Sequence, residues 1–291
     1  MKNQSNKTDI FQEITNNIIE SLESESGIWQ RPWALSLPQR SNVQYYQGIN
    51  ILILLAKATK EGYQSSQWLT FKQAKELGGI VKKGAKSTKI FYCSSLTIKD
   101  KEAKDEEESK EIFFRKQYSV FNIDQIENLP DEFYQTQKTD INQDIKIHDE
   151  IDQLIKNHNV ELISKDQNSS YFSCKSDLIN MPNISKFKDN NSYYATLLHE
   201  LSHWTGGEKR LNREYLKSYH TNQESRAKEE LVAEISSMFL SSYFNITAPK
   251  ENHISYIKSW IQILKKDKKA IFTASAQAQK IFNYLIKNDS N

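Results

Sequence analysis

The chain has 291 residues, of which 37% are hydrophobic and 26% are charged, and its formal net charge is +2. This length and apolar content allow one large domain or two ordinary ones, and they exclude a chain that is disordered throughout. Two distant cysteines, no apolar signal sequence and no apolar run long enough to span a bilayer predict a cytoplasmic protein with neither disulfides nor a membrane anchor.

Residues 1 to about 130 predict a first domain that mixes helices and strands. Helices follow from apolar residues at helical spacing, and strands follow from alternating apolar residues near turn signals. The predicted elements are helices over 10–22, 49–60 and 71–77, two strands within 81–94 around Lys83-Gly84, a solvated acidic loop over 99–111 and a strand over 113–121.

Residues 131–144 are polar and predict a linker, and residues 145–291 predict a second domain. The whole chain is therefore predicted to be a two-domain α+β protein. The main elements of the second domain are a helix over 147–158, a strand over 171–181, a helix over 192–205 with Ser192 as its N-cap, and a helix over 223–244.

The strongest local signal is a His-Glu-x-x-His motif formed by His199, Glu200 and His203. Residues four apart on a helix lie on one face, one turn apart, so both imidazoles can bind a single metal ion. The glutamate after the first histidine is placed to act as a general base on water beside the ion. Because the motif also occurs by chance, a third ligand is needed to support the site.

The third ligand is predicted on the helix over 223–244. Placed at 100° steps, Glu230 and Glu234 fall on a stripe between two apolar arcs, where carboxylates need a cation or hydrogen bonds. We predict Glu230 as the ligand and Glu234 as the partner of a ligating histidine, with the reverse assignment, or two exposed glutamates, left open. Glu224 lies outside the buried part of this helix, and His220 lacks a helical context.

The first domain has a pattern typical of proteins that bind single-stranded nucleic acid. Residues 1–98 hold twelve Lys and Arg against seven Asp and Glu, and residues 72–89 hold six lysines and one acid. Ten aromatic residues lie within residues 1–98, and single-strand binders combine cations for the phosphates with rings for stacking. Taken alone, the same pattern also fits core tryptophans and an ordinary solvated lysine face.

Many ordered motifs in both halves match one family. They are Trp29-Gln30-Arg31-Pro32-Trp33, Tyr46-Gln47-Gly48-Ile49-Asn50, Trp68-Leu69-Thr70-Phe71-Lys72-Gln73-Ala74, Leu77-Gly78-Gly79, Val81-Lys82-Lys83-Gly84, Val120-Phe121-Asn122, Tyr193-Tyr194-Ala195-Thr196-Leu197-Leu198-His199-Glu200, His203-Trp204-Thr205-Gly206, Arg210-Leu211-Asn212-Arg213, Glu229-Glu230-Leu231-Val232-Ala233-Glu234, Ser259-Trp260-Ile261 and Ala278-Gln279-Lys280. On these motifs, nearly the whole chain resembles the ArdC-type antirestriction proteins of conjugative plasmids and other mobile elements. It departs from them at Gly207 and in the acidic stretch over 99–111.

The resemblance implies an N-terminal domain that binds single-stranded DNA and a C-terminal zincin-like metallopeptidase domain. It implies one Zn²⁺ per chain in a gluzincin-like site, and protection of incoming mobile-element DNA from restriction. It also favours DNA binding over the alternative that the tryptophans are core residues and the lysines form an ordinary solvated face. The candidate DNA-binding residues are Trp29, Arg31, Trp33, Tyr46, Asn50, Trp68, Lys72, Lys82, Lys83 and Lys86.

Two other functions stay open from the sequence. The chain could be a pure single-stranded-DNA-binding protein that protects by occlusion, with a zinc domain that has no protein substrate. It could also be a regulatory peptidase that responds to DNA. The sequence selects no oxyanion-stabilising residue among Tyr215, Tyr219 and His220, and it names no protein substrate.

Overall fold

The computed structural model describes the chain in five ranges, residues 9–23, 36–99, 109–134, 141–246 and 254–287. These ranges form a mixed helical and strand protein whose contacts divide it into two compact units. The predicted two-part α+β organisation is therefore confirmed. None of the helices in these ranges is long and apolar enough to cross a membrane.

Helices dominate the second half of the chain, and the longest strands lie in the first half. The described helices are α1 (Ile10–Glu23), α2 (Ile49–Glu61), α3 (Phe71–Glu76), α4 (Ile141–Asn157), α5 (Asn190–Trp204), α6 (Glu214–Lys217), α7 (Gln223–Tyr243), α8 (Ile254–Lys266) and α9 (Ala270–Lys287). The described strands are β1 (Trp68–Thr70), β2 (Ile80–Val81), β3 (Thr88–Lys99), β4 (Ser109–Asn122), β5 (Ile126–Glu127), β6 (Glu161–Ile163), β7 (Tyr171–Ser173) and β8 (Leu178–Asn180).

The smaller unit, residues 39–44 and 67–135, is built on a long antiparallel ribbon of β3 and β4. β1 pairs with the other edge of β4, and β2 pairs with β5 in a separate two-stranded sheet. Thr70 ends β1 and forms a capping box with Gln73 that starts α3, since each side chain accepts a hydrogen bond from the other residue's amide. The core beside α3 contains Leu69, Ala74, Ile123, Ile126 and Leu129.

The structure refines two predictions for this unit. The two strands predicted around Lys83-Gly84 are present as β2 and β3, but they do not pair with each other, because β2 pairs with β5 and β3 pairs with β4. Alternating apolar residues identify strands but do not reveal which strands pair. The predicted acidic loop over 99–111 is shorter at both ends, because β3 extends to Lys99 and β4 begins at Ser109. Residues 100–108 lie outside the described ranges.

The larger unit, residues 1–38, 45–66 and 136–291, is organised around α7. This helix packs against α5, α6, α8 and α9, and its residues from Glu229 to Ser242 are all buried. A carboxylate on such a helix is costly unless it meets a cation or hydrogen-bond donors. The buried stretch of α7 therefore makes its glutamates candidates for a functional role.

A small sheet of order β6-β8-β7 completes the larger unit. The single strand predicted over 171–181 is instead two strands, β7 and β8, which pair in an antiparallel hairpin. The turn between them ends at Asp177, whose φ of 54° lies in the left-handed region that aspartate tolerates. β7 is one of the two edge strands and packs against α5.

The compact units divide the chain differently from the predicted domains. α1 and α2 lie within the predicted first domain but belong to the larger unit, because they pack against α8 and α9. α4 begins at Ile141, within the predicted linker over 131–144. The predicted domain limits, residues 1–130 and 145–291, describe continuous stretches of sequence and stay predictions. The two compact units are defined by tertiary contacts, so their limits are different.

Candidate metal centre and nucleic-acid interface

Helix α5 carries the His-Glu-x-x-His motif and begins at a side-chain cap. The carboxylate of Asp189 accepts hydrogen bonds from the Ser192 amide at 2.7 Å and from the Ser192 hydroxyl at 2.6 Å. The prediction of Ser192 as the N-cap is therefore wrong, because the extended backbone of Asp189 starts the helix at Asn190. The hydrogen bond from the Ser192 side chain is the main reason why the pKa of Asp189 is lowered.

Two arginines close the other end of α5. Arg210 and Arg213 donate to backbone carbonyls in its last turn, at 2.5 Å and 2.7 Å respectively. Since the last carbonyls of a helix have no partners within it, these bonds satisfy groups that would otherwise be buried without one. A Cβ at Gly206 or Gly207 would collide with these guanidinium groups, which explains why the helix is followed by two glycines.

Helix α7 presents two buried glutamates to the motif. Glu230 and Glu234 lie one turn apart and are 3% and 4% exposed. The alternative of two exposed glutamates is excluded by this burial. Glu224, in contrast, is exposed near the start of α7, where it pairs with lysines at 2.7 Å and 3.3 Å.

Glu230 lies between the two histidines. Its Oε2 is 3.5 Å from Nε2 of His199 and 3.7 Å from Nε2 of His203. Within the part of the chain that the structure describes, these three residues form the one group able to hold a metal ion, with ligand atoms within 4.8 Å of one another. Two ligands of a tetrahedral zinc ion stand roughly 3.4 Å apart, so the group needs little movement to close around an ion.

The second nitrogen of each histidine faces another carboxylate. Nδ1 of His199 is 3.0 Å from Glu234, and Nδ1 of His203 is 3.2 Å from Glu229. An Nδ1–H that donates to a carboxylate leaves the lone pair on Nε2, which here points towards Glu230. In the neutral imidazoles, this arrangement favours the tautomer that a metal site requires.

Glu229 and its partner Arg213 are site residues that the sequence analysis did not single out. Glu229 is fully buried, and Arg213 Nε donates to its two oxygens at 3.1 Å and 3.2 Å. Arg213 itself is only 4% exposed. Glu229 lies outside the stripe that contains Glu230, and Arg213 lies in an irregular stretch, so periodicity gave no signal for either.

The cluster shifts the pKa values of its members. Burial opposes the charged form of His203, but hydrogen bonds to Glu229 and Glu230 outweigh burial and raise the pKa of this imidazole. Burial likewise opposes ionisation of both glutamates, yet their hydrogen bonds to the histidines, and that of Arg213 to Glu229, lower both pKa values. The cluster therefore keeps negative charge beside the place where a cation would bind.

The candidate ligands open onto a cleft of about 480 Å³. Glu200 lines this cleft and is 8% exposed, so its carboxylate is largely shielded from solvent. Tyr171 and Phe172 of the edge strand β7 also line it. Cys174 follows them at the rim, where burial is the main reason why the pKa of its thiol is raised.

Two of the three predicted oxyanion-stabilising residues reach the cleft. Tyr219 and His220 line it, whereas the ring of Tyr215 lies 5.5 Å from the Lys228 ammonium. The Tyr219 hydroxyl donates to Oε1 of Glu230.

The aromatic candidates for DNA binding that the structure describes are not available as predicted. Tyr46 and Trp68 are 4% and 1% exposed, so neither ring can stack on a base in this structure. Trp68 lies on β1, where it pairs with Asn122 of β4. Asn50 is half-buried on α2. Three further candidates lie outside the described residues, namely Trp29, Arg31 and Trp33.

The predicted lysines, in contrast, are accessible. All belong to the smaller unit, and two make a local contact: Lys72 pairs with Glu76 at 3.6 Å, and Lys82 donates to the Asp124 carbonyl at 2.8 Å. Among the residues of this unit whose burial the structure describes, the exposed lysines are Lys72, Lys75, Lys82, Lys83, Lys86, Lys89 and Lys116. The predicted lysines are thus on the surface, whereas Trp68, the one described tryptophan among the candidates, is buried.

Comparison with known families matches both halves of the chain. A family model described as a zincin-like metallopeptidase matches residues 149–277, and the N-terminal domain of the anti-restriction factor ArdC matches residues 8–121. Helix α5 carries the His-Glu-x-x-His motif, helix α7 carries the glutamates, and the zincin-like family model covers both helices. The chain is therefore a zincin-like protein, and members of this class hold a metal.

Solved structures extend the likeness over the whole chain. The metal-free crystal structure of the antirestriction protein ArdC from plasmid R388 is 35% identical, with a TM-score of 0.80 over 97% of this chain and 98% of that chain. Its Mn(II)-bound structure is 34% identical, with a TM-score of 0.79 over 97% and 99%. The chain therefore belongs to the ArdC family of antirestriction proteins, as the sequence motifs predict.

Relatives of this chain occur alone and within longer proteins. The uncharacterized protein y4eC of Sinorhizobium fredii (strain NBRC 101917 / NGR234) is 28% identical over 295 residues, which cover 98% of this chain and 94% of that protein. A DNA primase TraC of Escherichia coli is 30% identical over 307 residues, covering 98% of this chain. The chain spans only 20% of the length of that primase.

Proposed function

We propose that the larger unit binds one zinc ion per chain through His199, His203 and Glu230. The observation that carries the proposal is the orientation of the imidazoles, whose Nε2 atoms face Glu230 while their Nδ1 atoms face other carboxylates. Glu234 and Glu229 then act as the hydrogen-bond partners that orient the ligands. Nitrogen and carboxylate ligands suit zinc, and Mn(II) in the R388 relative supports a divalent ion here.

We further propose that this centre hydrolyses peptide bonds. Three protein ligands leave one position open, whereas structural zinc sites are closed by four. A divalent ion in such a site acts as a Lewis acid on a carbonyl and makes water a stronger nucleophile at neutral pH. Glu200, in the same cleft, would accept the proton from the attacking water and pass it to the leaving amine. Tyr219, whose hydroxyl would then leave Glu230, would donate to the developing oxyanion, with His220 as the alternative.

A conservative change of the base tests the peptidase. Glu200→Gln should keep the bound metal but lower the hydrolysis of a fluorogenic peptide library by about 100- to 10,000-fold. Glu208→Gln, which changes an exposed glutamate just beyond α5, serves as the matched control and should behave as wild type. If the metal-loaded wild-type protein cleaves no peptide, the occlusion alternative replaces the peptidase.

For the smaller unit, we propose binding of single-stranded DNA. The support is the concentration of exposed lysines on one compact unit, together with membership of an antirestriction family. Lysines neutralise phosphates and release counterions, so affinity should fall as salt rises. We infer that the protein acts in the cytoplasm, where this binding would protect incoming mobile-element DNA from restriction.

Fluorescence anisotropy of labelled oligonucleotides tests this second proposal. Single strands should bind more tightly than duplexes, with a linear loss of log affinity against log salt. Glu200→Gln should leave this binding unchanged, because Glu200 belongs to the larger unit. Equal affinity for duplex, or no salt dependence, would contradict the proposal. In a restriction-protection assay, protection that survives Glu200→Gln would favour occlusion over peptide hydrolysis.

A further inference from the structure

The ribbon of the smaller unit carries two exposed tyrosines near one another. Tyr92 on β3 is 51% exposed, and Tyr118 on β4 is 43% exposed. Neither belongs to the motifs that identify the family, and neither is among the predicted DNA-binding residues. A single exposed ring on a protein surface is ordinary, whereas two exposed rings on one face form a larger apolar surface.

The strand register places both tyrosines on one face of the ribbon. Tyr92 pairs with Lys116, and Tyr118 pairs with Ile90, two residues before Tyr92. Because side chains alternate along a strand, and paired residues share a face, these four side chains lie together. Tyr92 and Tyr118 are therefore diagonal neighbours, about 7–8 Å apart between Cα atoms.

An exposed lysine lies beside the rings, and the loop before the ribbon carries others. Lys116 lies directly across from Tyr92 and is exposed. The loop that leads into β3 adds Lys83 and Lys86, both exposed. Over its full sequence the smaller unit holds thirteen Lys and Arg against twelve Asp and Glu, so its excess of cations is local, within residues 72–89, which hold six lysines and one acid. Cations beside accessible rings are the combination that binds the phosphates and bases of a single strand.

We propose that Tyr92 and Tyr118 form a stacking platform for two bases of single-stranded DNA, with Lys116 binding the backbone between or beside them. This inference rests on the proposed DNA binding and gives it a location. The platform takes over the role that the sequence pattern assigned to Tyr46 and Trp68, whose rings are buried. Stacking needs only the flat face of a base, so the platform should show little sequence preference.

The test combines a protein change with a DNA change. Tyr92→Leu/Tyr118→Leu removes both rings, and an oligonucleotide with abasic spacers removes the bases while keeping the phosphates. Each lost stack should weaken binding of the normal oligonucleotide by about 5- to 150-fold. Wild type should discriminate against the abasic oligonucleotide, and the double variant should lose that discrimination.

Two controls match the change. Tyr92→Phe/Tyr118→Phe keeps both rings and should bind as wild type, while Ile80→Ala removes exposed apolar surface of the same unit without removing a ring. If wild type binds single strands and the folded Leu variant binds them equally well, the platform is refuted and the proposed DNA binding stands. If wild type binds no single-stranded DNA at any salt, both fail. Thermal melting confirms that each variant is folded.

Discussion

The metal centre and the ribbon use charged residues in opposite ways. In the centre, the charged groups are buried and each meets a partner: Glu229 is held by Arg213, and Glu234 lies against His199. On the ribbon, Lys116 and its neighbours are exposed to solvent. Burial makes a charge expensive to leave without its partner, whereas exposure leaves it free to meet a ligand. Changes in the centre should therefore alter stability and metal binding, and changes on the smaller unit's surface should alter DNA affinity alone.

The largest effect is expected from breaking the buried ion pair between Arg213 and Glu229. Arg213→Met leaves Glu229 charged and buried, which should lower the free energy of unfolding of the metal-free protein by about 3–5 kcal/mol. Urea unfolding in the presence of a chelator measures it. Arg213→Met/Glu229→Leu should recover part of the loss, since the unpaired charge of Glu229 is then gone while Nδ1 of His203 loses its acceptor. A loss below about 1 kcal/mol for Arg213→Met would mean that the pair behaves like a surface ion pair.

The next effect distinguishes the ligand from the residue that orients it. Glu234→Ala should weaken metal binding by about 10–100-fold, because Glu234 acts only through the Nδ1–H of His199. Glu230→Ala should weaken it further, since a ligand is lost. Isothermal titration with zinc in a competing buffer measures both. If Glu234→Ala is the more damaging change, the two glutamates exchange roles.

A smaller effect is expected at the cap of the motif helix. Asp189→Ala should destabilise the protein by about 1 kcal/mol, because the first turn of α5 loses its acceptor. The pKa of Asp189 is lowered in the folded protein, so its contribution is present above the usual aspartate range and is lost as pH falls through the folded pKa. Asp189→Asn should keep the cap but remove this acid dependence. Parallel denaturation curves between neutral and acidic pH would show whether it does.

The smallest effect on stability belongs to the exposed lysines. Lys83→Gln/Lys86→Gln should change the free energy of unfolding by less than about 0.5 kcal/mol. It should nevertheless reduce the salt dependence of single-strand binding by about 0.7 log units per contact removed. Lys258→Gln/Lys280→Gln, which changes exposed lysines of the larger unit, is the matched control. An equal reduction in that control would place the DNA surface elsewhere.

The sequence predicted the centre better than the ribbon, for a physical reason. Helical spacing alone brings His199 and His203 to one face and Glu230 and Glu234 to one stripe. Which tyrosines are exposed depends on strand pairing and packing, which no local pattern reveals, so Trp68 was predicted at the surface although it is buried. The same limit applies to the pairing of β2 with β5 and to Arg213, whose partner Glu229 is distant in sequence.

The central claim is that one metal ion binds between the two histidines and Glu230. Anomalous scattering from a crystal of the zinc-loaded protein tests it directly. We expect a single peak at about 2.0–2.2 Å from Nε2 of His199, Nε2 of His203 and an oxygen of Glu230. A peak bonded to Glu234, a peak bonded through Nδ1 of either histidine, or no peak in this cleft would contradict the account.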